Sequence, residues 1–361
     1  MDDARPLVQR LAADLGFARV RFTAIGPTPD MERFDAWLAA GHDGEMGWLE
    51  RGRDLRADPR VRLPEARSVV VLSVEHHHRR PPDPGGRTGL VARYAWGRDY
   101  HNLVGKRLRK LRRALSAHGI ESWGGVDTAP ILERAWAARA GLGHLGKNCV
   151  VFVPGRTSWL FLAVLFLDAP CRPDAPIARD HCGTCTRCMD ACPTDAFVGP
   201  RQLDSTRCIA YWTIEAKGLP PRALRSGFGR WIFGCDRCQE VCPHDHDPPD
   251  PDEDDLRPRH AWLDCDEVLR SEEDALMERF LGTPLRRPGA AGLKRNALLV
   301  LGNLGDPDAS PTARQALAHP APVVRAAAVW CLARLGDRAV LDHADPDPGV
   351  QAEVDAERAR T

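Results

Sequence analysis

Cys182-Gly-Thr-Cys185-Thr-Arg-Cys188-Met-Asp-Ala-Cys192-Pro193 is followed by Cys235-Asp-Arg-Cys238-Gln-Glu-Val-Cys242-Pro243. The first run is a complete C-x2-C-x2-C-x3-C-P pattern. That spacing wraps three thiolates around one face of an iron–sulfur cube and sends the fourth toward a neighbouring cube. Two [4Fe–4S] clusters need eight ligands, and the runs hold seven. Cys208, between them, is the natural eighth. The crossover rule gives Cys182, Cys185, Cys188 and Cys242 to one cluster, and Cys192, Cys208, Cys235 and Cys238 to the other. A zinc pair would need only the C-x2-C pairs, not the third cysteine or the C-P endings. The other four cysteines, Cys149, Cys171, Cys265 and Cys331, read as buried apolar side chains. So many thiols without a disulfide framework point to a reducing cytoplasm.

Outward from this module the chain has room for two or three domains, at 361 residues. Residues 1–170 read as an α/β unit. Leu7, Leu11 and Leu15 share a helix face, and Phe17–Phe22 alternates like a strand. Ser68–Val74 has the composition of a buried strand, and Tyr100–His118 forms a basic amphipathic helix. Ile131–Ala140 is a further helix. Cys149–Val153 and Trp159–Leu167 read as adjacent strands turning at Pro154-Gly155-Arg156. His76-His77-His78, at a strand end, reads as a solvated loop. No glycine-rich nucleotide motif follows a strand, so dinucleotide and phosphate-loop readings are unsupported. Residues 171–245 are the cluster module. Residues 246–282 are expected to be an acidic linker with a connecting helix, since 245–255 is too acidic and proline-rich to pack.

Residues 283–361 contain a repeat. Leu293–Asp306 returns as Val324–Asp337, each ending in Leu-Gly-Asp. A helix closed by glycine and repeated at this interval is the stacked-helix pattern of HEAT repeats. Between 286 and 338 there are eight basic residues against three acidic ones, in a chain of formal net charge zero. Lys294, Arg295 and Arg325 occupy near-equivalent repeat positions. They are expected on one face, either for phosphate contact or as an ordinary solvated surface. The opening residues are acidic and amphipathic, unlike a signal peptide. The longest apolar run, Trp159–Leu167, is too short to span a bilayer.

Val126-Asp127-Thr-Ala-Pro-Ile-Leu-Glu-Arg-Ala-Trp-Ala-Ala-Arg-Ala-Gly-Leu-Gly-His-Leu-Gly-Lys-Asn148 closely resembles the hallmark segment of the epoxyqueuosine reductases. Tyr94-Ala-Trp-Gly-Arg-Asp-Tyr-His101, the cysteine intervals and the terminal helices carry the same resemblance. It implies a cytoplasmic oxidoreductase acting on CH or CH2 groups. Such an enzyme reduces epoxyqueuosine to queuosine at the wobble position of tRNA, the last step of queuosine synthesis. The fold implied is an α/β (α+β) cobalamin-binding domain similar to that of reductive dehalogenases, with a bacterial ferredoxin-like module and an all-α repeat domain. The cofactors implied are two [4Fe–4S] clusters and cobalamin. The partners are the tRNAs for Asp, Asn, His and Tyr and a low-potential electron donor, with no membrane and a monomeric chain. A cobalamin-dependent small-molecule reductase of dehalogenase type is the alternative, though it gives no reason for a basic helical platform.

The resemblance assigns Asp127 as the acid that protonates the departing oxygen, with apolar burial raising its pKa. From the residues alone, Asp-Thr-Ala-Pro before a helix also reads as an N-cap. Asp99, Tyr100 and His101 are expected to line the cofactor pocket. Lys147 and Asn148, in a glycine-rich turn, are expected to hold corrin amides or a phosphate, with Arg56 and Ser158 as lesser candidates of the same kind.

Overall fold

The computed structural model describes residues 3–245 and 250–360. Arg19–Ala24, Ser68–Glu75, Leu160–Leu167 and Ser122–Gly125 form, in that spatial order, an antiparallel sheet. Its central strands are almost entirely buried and largely apolar because both faces are covered. Val70, Leu72 and Val74 point toward the helices Arg5–Asp14 and Tyr100–Ser116, where they meet Val8, Leu108, Leu111 and Leu115. Val69 and Val71 point the other way, toward Trp136 and Ala137 of the Glu133–Arg139 helix. The expected pairing across Pro154-Gly155-Arg156 reduces to one bridge, Val153 to Thr157. Val151–Phe152 pairs instead with His144–Leu145, so the two strands belong to different sheets.

A second sheet cuts across the expected linker. Thr88–Val91 lies between Trp231–Phe233, parallel to it, and Trp262–Asp264, antiparallel. The 246–282 segment therefore packs more than its composition suggests. His246, Asp247, Pro248 and Pro249 lie outside the described residues. Beyond them Glu253 pairs with Arg107, and Leu256 is buried. The Asp255 carbonyl accepts from Arg98 N–H at 2.7 Å. A side chain at Gly97 would come within 2.4 Å of that same carbonyl, so only glycine admits the approach. Paired acidic side chains and backbone hydrogen bonds replace the apolar contacts that the segment lacks.

The second sheet shares one core with the C-terminal helices Gly289–Leu304, Pro322–Arg334 and Pro348–Arg358. Gly305 and Gly336 close the first two at φ 69° and 81°, the left-handed turn that the repeated Leu-Gly-Asp requires. Asp306 and Asp337 then cap the next short turns through the N–H groups of Asp308 and Ala339. The last helix is held to the cluster module by ions. Arg225 Nη1 donates to Glu353 Oε1 at 2.6 Å, and Arg222 pairs with both Glu353 and Glu357.

The basic face expected on these helices is turned inward. Arg295 is fully buried and donates to the carbonyls of Trp212, Ala216 and Gly218, at the end of the Ile209–Ile214 helix. Lys294 Nζ donates to the Leu269 and Ser271 carbonyls at 3.1 and 2.7 Å, closing the Cys265–Arg270 helix. Arg325 is bound by Asp345 and by the carbonyls of His319 and Pro320. Orphan carbonyls at helix ends attract cations, and here they claim Lys294 and Arg295 from solvent. The expectation that Lys294 and Arg295 contact RNA phosphate is thus overturned, whereas Arg325 keeps a partly exposed side chain paired with Asp345.

Candidate active site between the sheet and the cysteine loops

A cavity of about 290 Å³ opens where the end of the first sheet faces the second cysteine run. His76, Tyr100, Asp127, Glu133, Trp159 and Phe161 line one side, with Cys235, Asp236 and Gln239 opposite. His76 continues the strand by one pairing step, its N–H donating to the Trp159 carbonyl at 3.0 Å. The imidazole is buried and stacks on Phe161 at 4.2 Å. Burial pushes its pKa down to about 3, so the ring is neutral. His77 and His78 are buried as well, with Asp250 beside them. The triplet is therefore not a solvated loop. Flat rings at the strand end pack against Trp159 and Phe161 in place of aliphatic side chains.

The stack continues. Tyr100 lies parallel to Phe161 at 4.3 Å, and His101 lies on Tyr100 at 4.1 Å. Asp99 caps the Tyr100–Ser116 helix by accepting from His101 N–H at 2.9 Å. Its carboxylate also meets His101 Nδ1 at 2.8 Å, and His101 Nε2 meets Asp127 Oδ2 at 3.0 Å. One imidazole is therefore held between two carboxylates. Burial opposes its charge, but the hydrogen bonds it donates to Asp127 and Asp99 outweigh that and push His101 up to about 9. Burial would likewise raise Asp127. Hydrogen bonding and charge from His101, with help from Tyr100 and Arg134, win and hold its carboxyl below the usual range.

These observations correct the expectation for Asp127. It caps no helix, because the following helix starts at Glu133, and Asp127 sits in a left-handed turn at φ 54°. Its side chain is 59 % exposed at the cavity mouth, and its pKa falls rather than rises. At neutral pH the proton of the pair resides on His101. Glu133, which the sequence reading passed over, has the raised carboxyl, pushed by burial up to about 7. The Leu-Glu-Arg of the hallmark segment was the available signal for it.

The other expected residues divide. Asp99 and His101 stand beside Tyr100 and Asp127 at the cavity. Ser158 lines the cavity as well, bonded to Asp245 and to Gln239 Nε2 at 2.9 Å. Lys147 and Asn148 serve the cysteine loops instead. Lys147 Nζ donates to the Gly183 and Cys185 carbonyls at 2.7 and 3.0 Å, and Asn148 Nδ2 to the Cys238 carbonyl at 3.3 Å. Arg56 does not line the cavity but is buried behind it, within charge range of Glu133 and donating to the Arg51 carbonyl at 2.7 Å.

The cysteines fall into two groups. Cys182, Cys185, Cys188 and Cys242 line one small cavity, with His181, His244 and Phe152. Cys208 lies within charge range of Cys235 and Cys238, and Cys192 of Cys208 and Cys235, with Cys188 of the first group reaching Cys238 as well. Two sets of four thiols fit two cubes with crossed ligands. Of the other four cysteines, Cys171, Cys265 and Cys331 are buried, and Cys149 is half-buried. The larger cavity fits a broad cofactor edged with amides. It offers a stacked aromatic wall and two polar atoms, His76 Nδ1 and Glu133 Oε1, that have no protein partner. Asp236 fixes the opposite wall. Burial pushes it up to about 6 against the charge of Arg93 and Arg80, and Arg93 lies over Trp159 at 4.7 Å.

Comparison with known proteins gives a consistent picture. The 4Fe-4S double cluster binding domain profile matches residues 181–245, the epoxyqueuosine reductase QueG (DUF1730) profile 56–128, and the HEAT repeat profile 285–354. An epoxyqueuosine reductase of Xanthomonas campestris is 39% identical over 349 residues, 92% of this chain and 97% of that protein. One from Pseudomonas aeruginosa is 37% identical over 340 residues, covering 90% and 92%. A crystal structure of epoxyqueuosine reductase with an epoxyqueuosine-modified tRNA-Tyr stem loop superposes with TM-score 0.91 at 30% identity, over 98% of this chain and 97% of that one. The Bacillus subtilis enzyme, solved with its catalytic aspartate loop swung out of the active site, gives TM-score 0.87 at 30% identity, covering 98% and 97%.

Proposed function

The chain belongs to the epoxyqueuosine reductase family, and from that membership we propose that the cavity under Asp127 is where the epoxide of a tRNA-borne epoxyqueuosine is reduced. The protein is an oxidoreductase that converts epoxyqueuosine to queuosine in tRNA, with two [4Fe–4S] clusters and cobalamin as cofactors. The observation that carries the placement is a shared cavity. Asp127 and the ring stack form one wall, and Cys235 of the second cysteine group forms the other. Epoxide to alkene and water consumes two electrons and two protons. Cobalamin, when bound, supplies a strongly reducing cobalt, replenished by single electrons from the clusters.

The chain's own residues handle position and protons. His76, Phe161 and Tyr100 offer a flat wall to the cofactor. The unpartnered His76 Nδ1 and Glu133 Oε1 are in place to bond its amide edge. Asp127 Oδ2, at the mouth, faces the incoming nucleoside and shares the proton held on His101 Nε2. Asp99, on the far ring nitrogen, keeps that imidazole charged and oriented. The departing oxygen takes this proton through Asp127, and Glu133, near half-protonated at neutral pH, stands by for the second. The loop named in the Bacillus subtilis structure fits such a role for Asp127, which lies in an exposed turn here.

Residues 1–170 would then hold the cofactor, 171–245 the clusters, and 283–361 would support both from behind. We assign the tRNAs for Asp, Asn, His and Tyr as substrates, a low-potential carrier as electron donor, and a monomer in the cytoplasm. Among the described residues no helix is long and apolar enough to cross a membrane. The test is single turnover of an epoxyqueuosine-containing stem loop by anaerobically reconstituted protein. Alkene formation that requires cobalamin is expected. Full conversion without it, or none with it, overturns the reading.

A further inference from the structure

Among the described residues four large apolar side chains are conspicuously exposed: Trp48, Val61, Val198 and Leu281. Two of them stand near the mouth of the cavity. Leu281 is 68% exposed, and the next residue's carbonyl accepts from Asp99 N–H at 2.8 Å, which ties it to the His101–Asp127 pair. Trp48 is 37% exposed, with the Arg287 guanidinium over its ring at 5.6 Å. Arg287 is held in place by Glu215 at 2.6 Å and is close enough to Asp127 and Tyr94 to feel their charge.

The loop carrying Trp48 is fixed rather than loose. Trp37 Nε1 donates to the Leu203 carbonyl at 2.6 Å, Ser205 N–H to the His42 carbonyl at 3.0 Å, and Glu45 N–H to the Tyr211 hydroxyl at 2.9 Å. At its far end Gly52 abuts Pro130, on the loop that carries Asp127. The indole is anchored and part-exposed, with a cation on it that lies within charge range of Asp127. It has the chemistry of a nucleobase platform, because every base offers a π-face and the guanidinium suits a phosphate.

We propose that Trp48 and Arg287 form a stacking platform for the anticodon-loop base next to the modified nucleoside, with Arg287 also reaching the backbone. This rests on the functional reading above and adds where the RNA is gripped, now that Lys294 and Arg295 are buried and Arg325 is paired with Asp345. A preordered ring loses little entropy on binding, so it contributes affinity efficiently.

The test measures affinity of the cofactor-loaded protein for a tRNA anticodon stem loop by fluorescence anisotropy across salt concentrations. Trp48→Ala is expected to weaken binding about tenfold with the salt slope unchanged, since stacking releases no counterions. Trp48→Phe, which keeps a ring, should retain most of the affinity and guards against misfolding as the cause. Arg287→Ala should weaken binding and reduce the salt slope by about 0.7, the value for one single-strand phosphate. Equal affinity of Trp48→Ala and unaltered protein overturns the platform while leaving the enzyme's activity on RNA intact. Failure of the unaltered protein to bind the stem loop would instead strike at the functional reading itself.

Discussion

His101 sits between Asp99 and Asp127 at 2.8 and 3.0 Å, and that placement decides which group carries the proton. With its pKa pushed up to about 9, the imidazolium contributes stability that is complete below the ordinary histidine value and is lost as pH rises through about 9. The single-turnover rate should decline first near pH 7, as Glu133 gives up the second proton, and then along the same limb above about pH 9. Asp99→Asn removes one of the two supporting carboxylates, so the falling limb should move toward neutral pH while cobalamin stays bound; an unmoved limb would show that Asp99 only caps its helix. Asp127→Asn should lower the rate by roughly two to four orders of magnitude in fully loaded protein. Near-normal turnover there would remove its proton role. Cys208 is the third residue-scale case. It stands outside both cysteine runs yet groups with Cys192, Cys235 and Cys238, so Cys208→Ala should reduce iron from about eight toward about four per chain. Unchanged iron and an unchanged EPR spectrum would return Cys208 to the ordinary core.

Elements were legible where one pattern dominated. The leucines of Tyr100–Ser116, the valines of Ser68–Glu75 and the repeated Leu-Gly-Asp all predicted what they form, because burial of one face or both leaves a period in the sequence. The cysteine spacing was legible for the same reason, since cluster geometry fixes it. Direction was not legible. Lys294 and Arg295 belong to a helix whose cations end on carbonyls of two other helices, and no local pattern records which carbonyls lie opposite. The histidine triplet failed likewise, because imidazoles packed on Phe161 and Trp159 look in sequence like a polar loop. The inward reading of Arg295 has its own test. Arg295→Ala takes the guanidinium from the buried Ala216 carbonyl and from the less buried Trp212 and Gly218 carbonyls, and should cost about 3 kcal/mol, seen as a lower thermal midpoint, with RNA affinity unaltered in the protein that remains folded. A stable variant with weakened RNA binding would reverse that assignment.

At the scale of the whole molecule, the active cavity belongs to no single stretch of chain. Its walls come from the first sheet and from the Cys235–Gln239 turn, which Arg80 and Arg93 clamp through Asp236. Protein stripped of iron should therefore bind cobalamin more weakly than reconstituted protein, measured by titrating the cofactor's visible spectrum. Equal affinity would mean that the cysteine wall stands without its metal. The same interleaving appears in the second sheet, where Thr88–Val91 waits for partners at Trp231–Phe233 and Trp262–Asp264. A ribosome adding about 5–20 residues each second needs roughly 9 to 35 seconds to deliver the last of those partners after the strand emerges. During that interval the strand has open edges and must be kept from pairing with other chains. Closing it bridges a long loop, which slows folding, so mispairing of the newborn chain is expected most between the first sheet's completion and the arrival of residue 264.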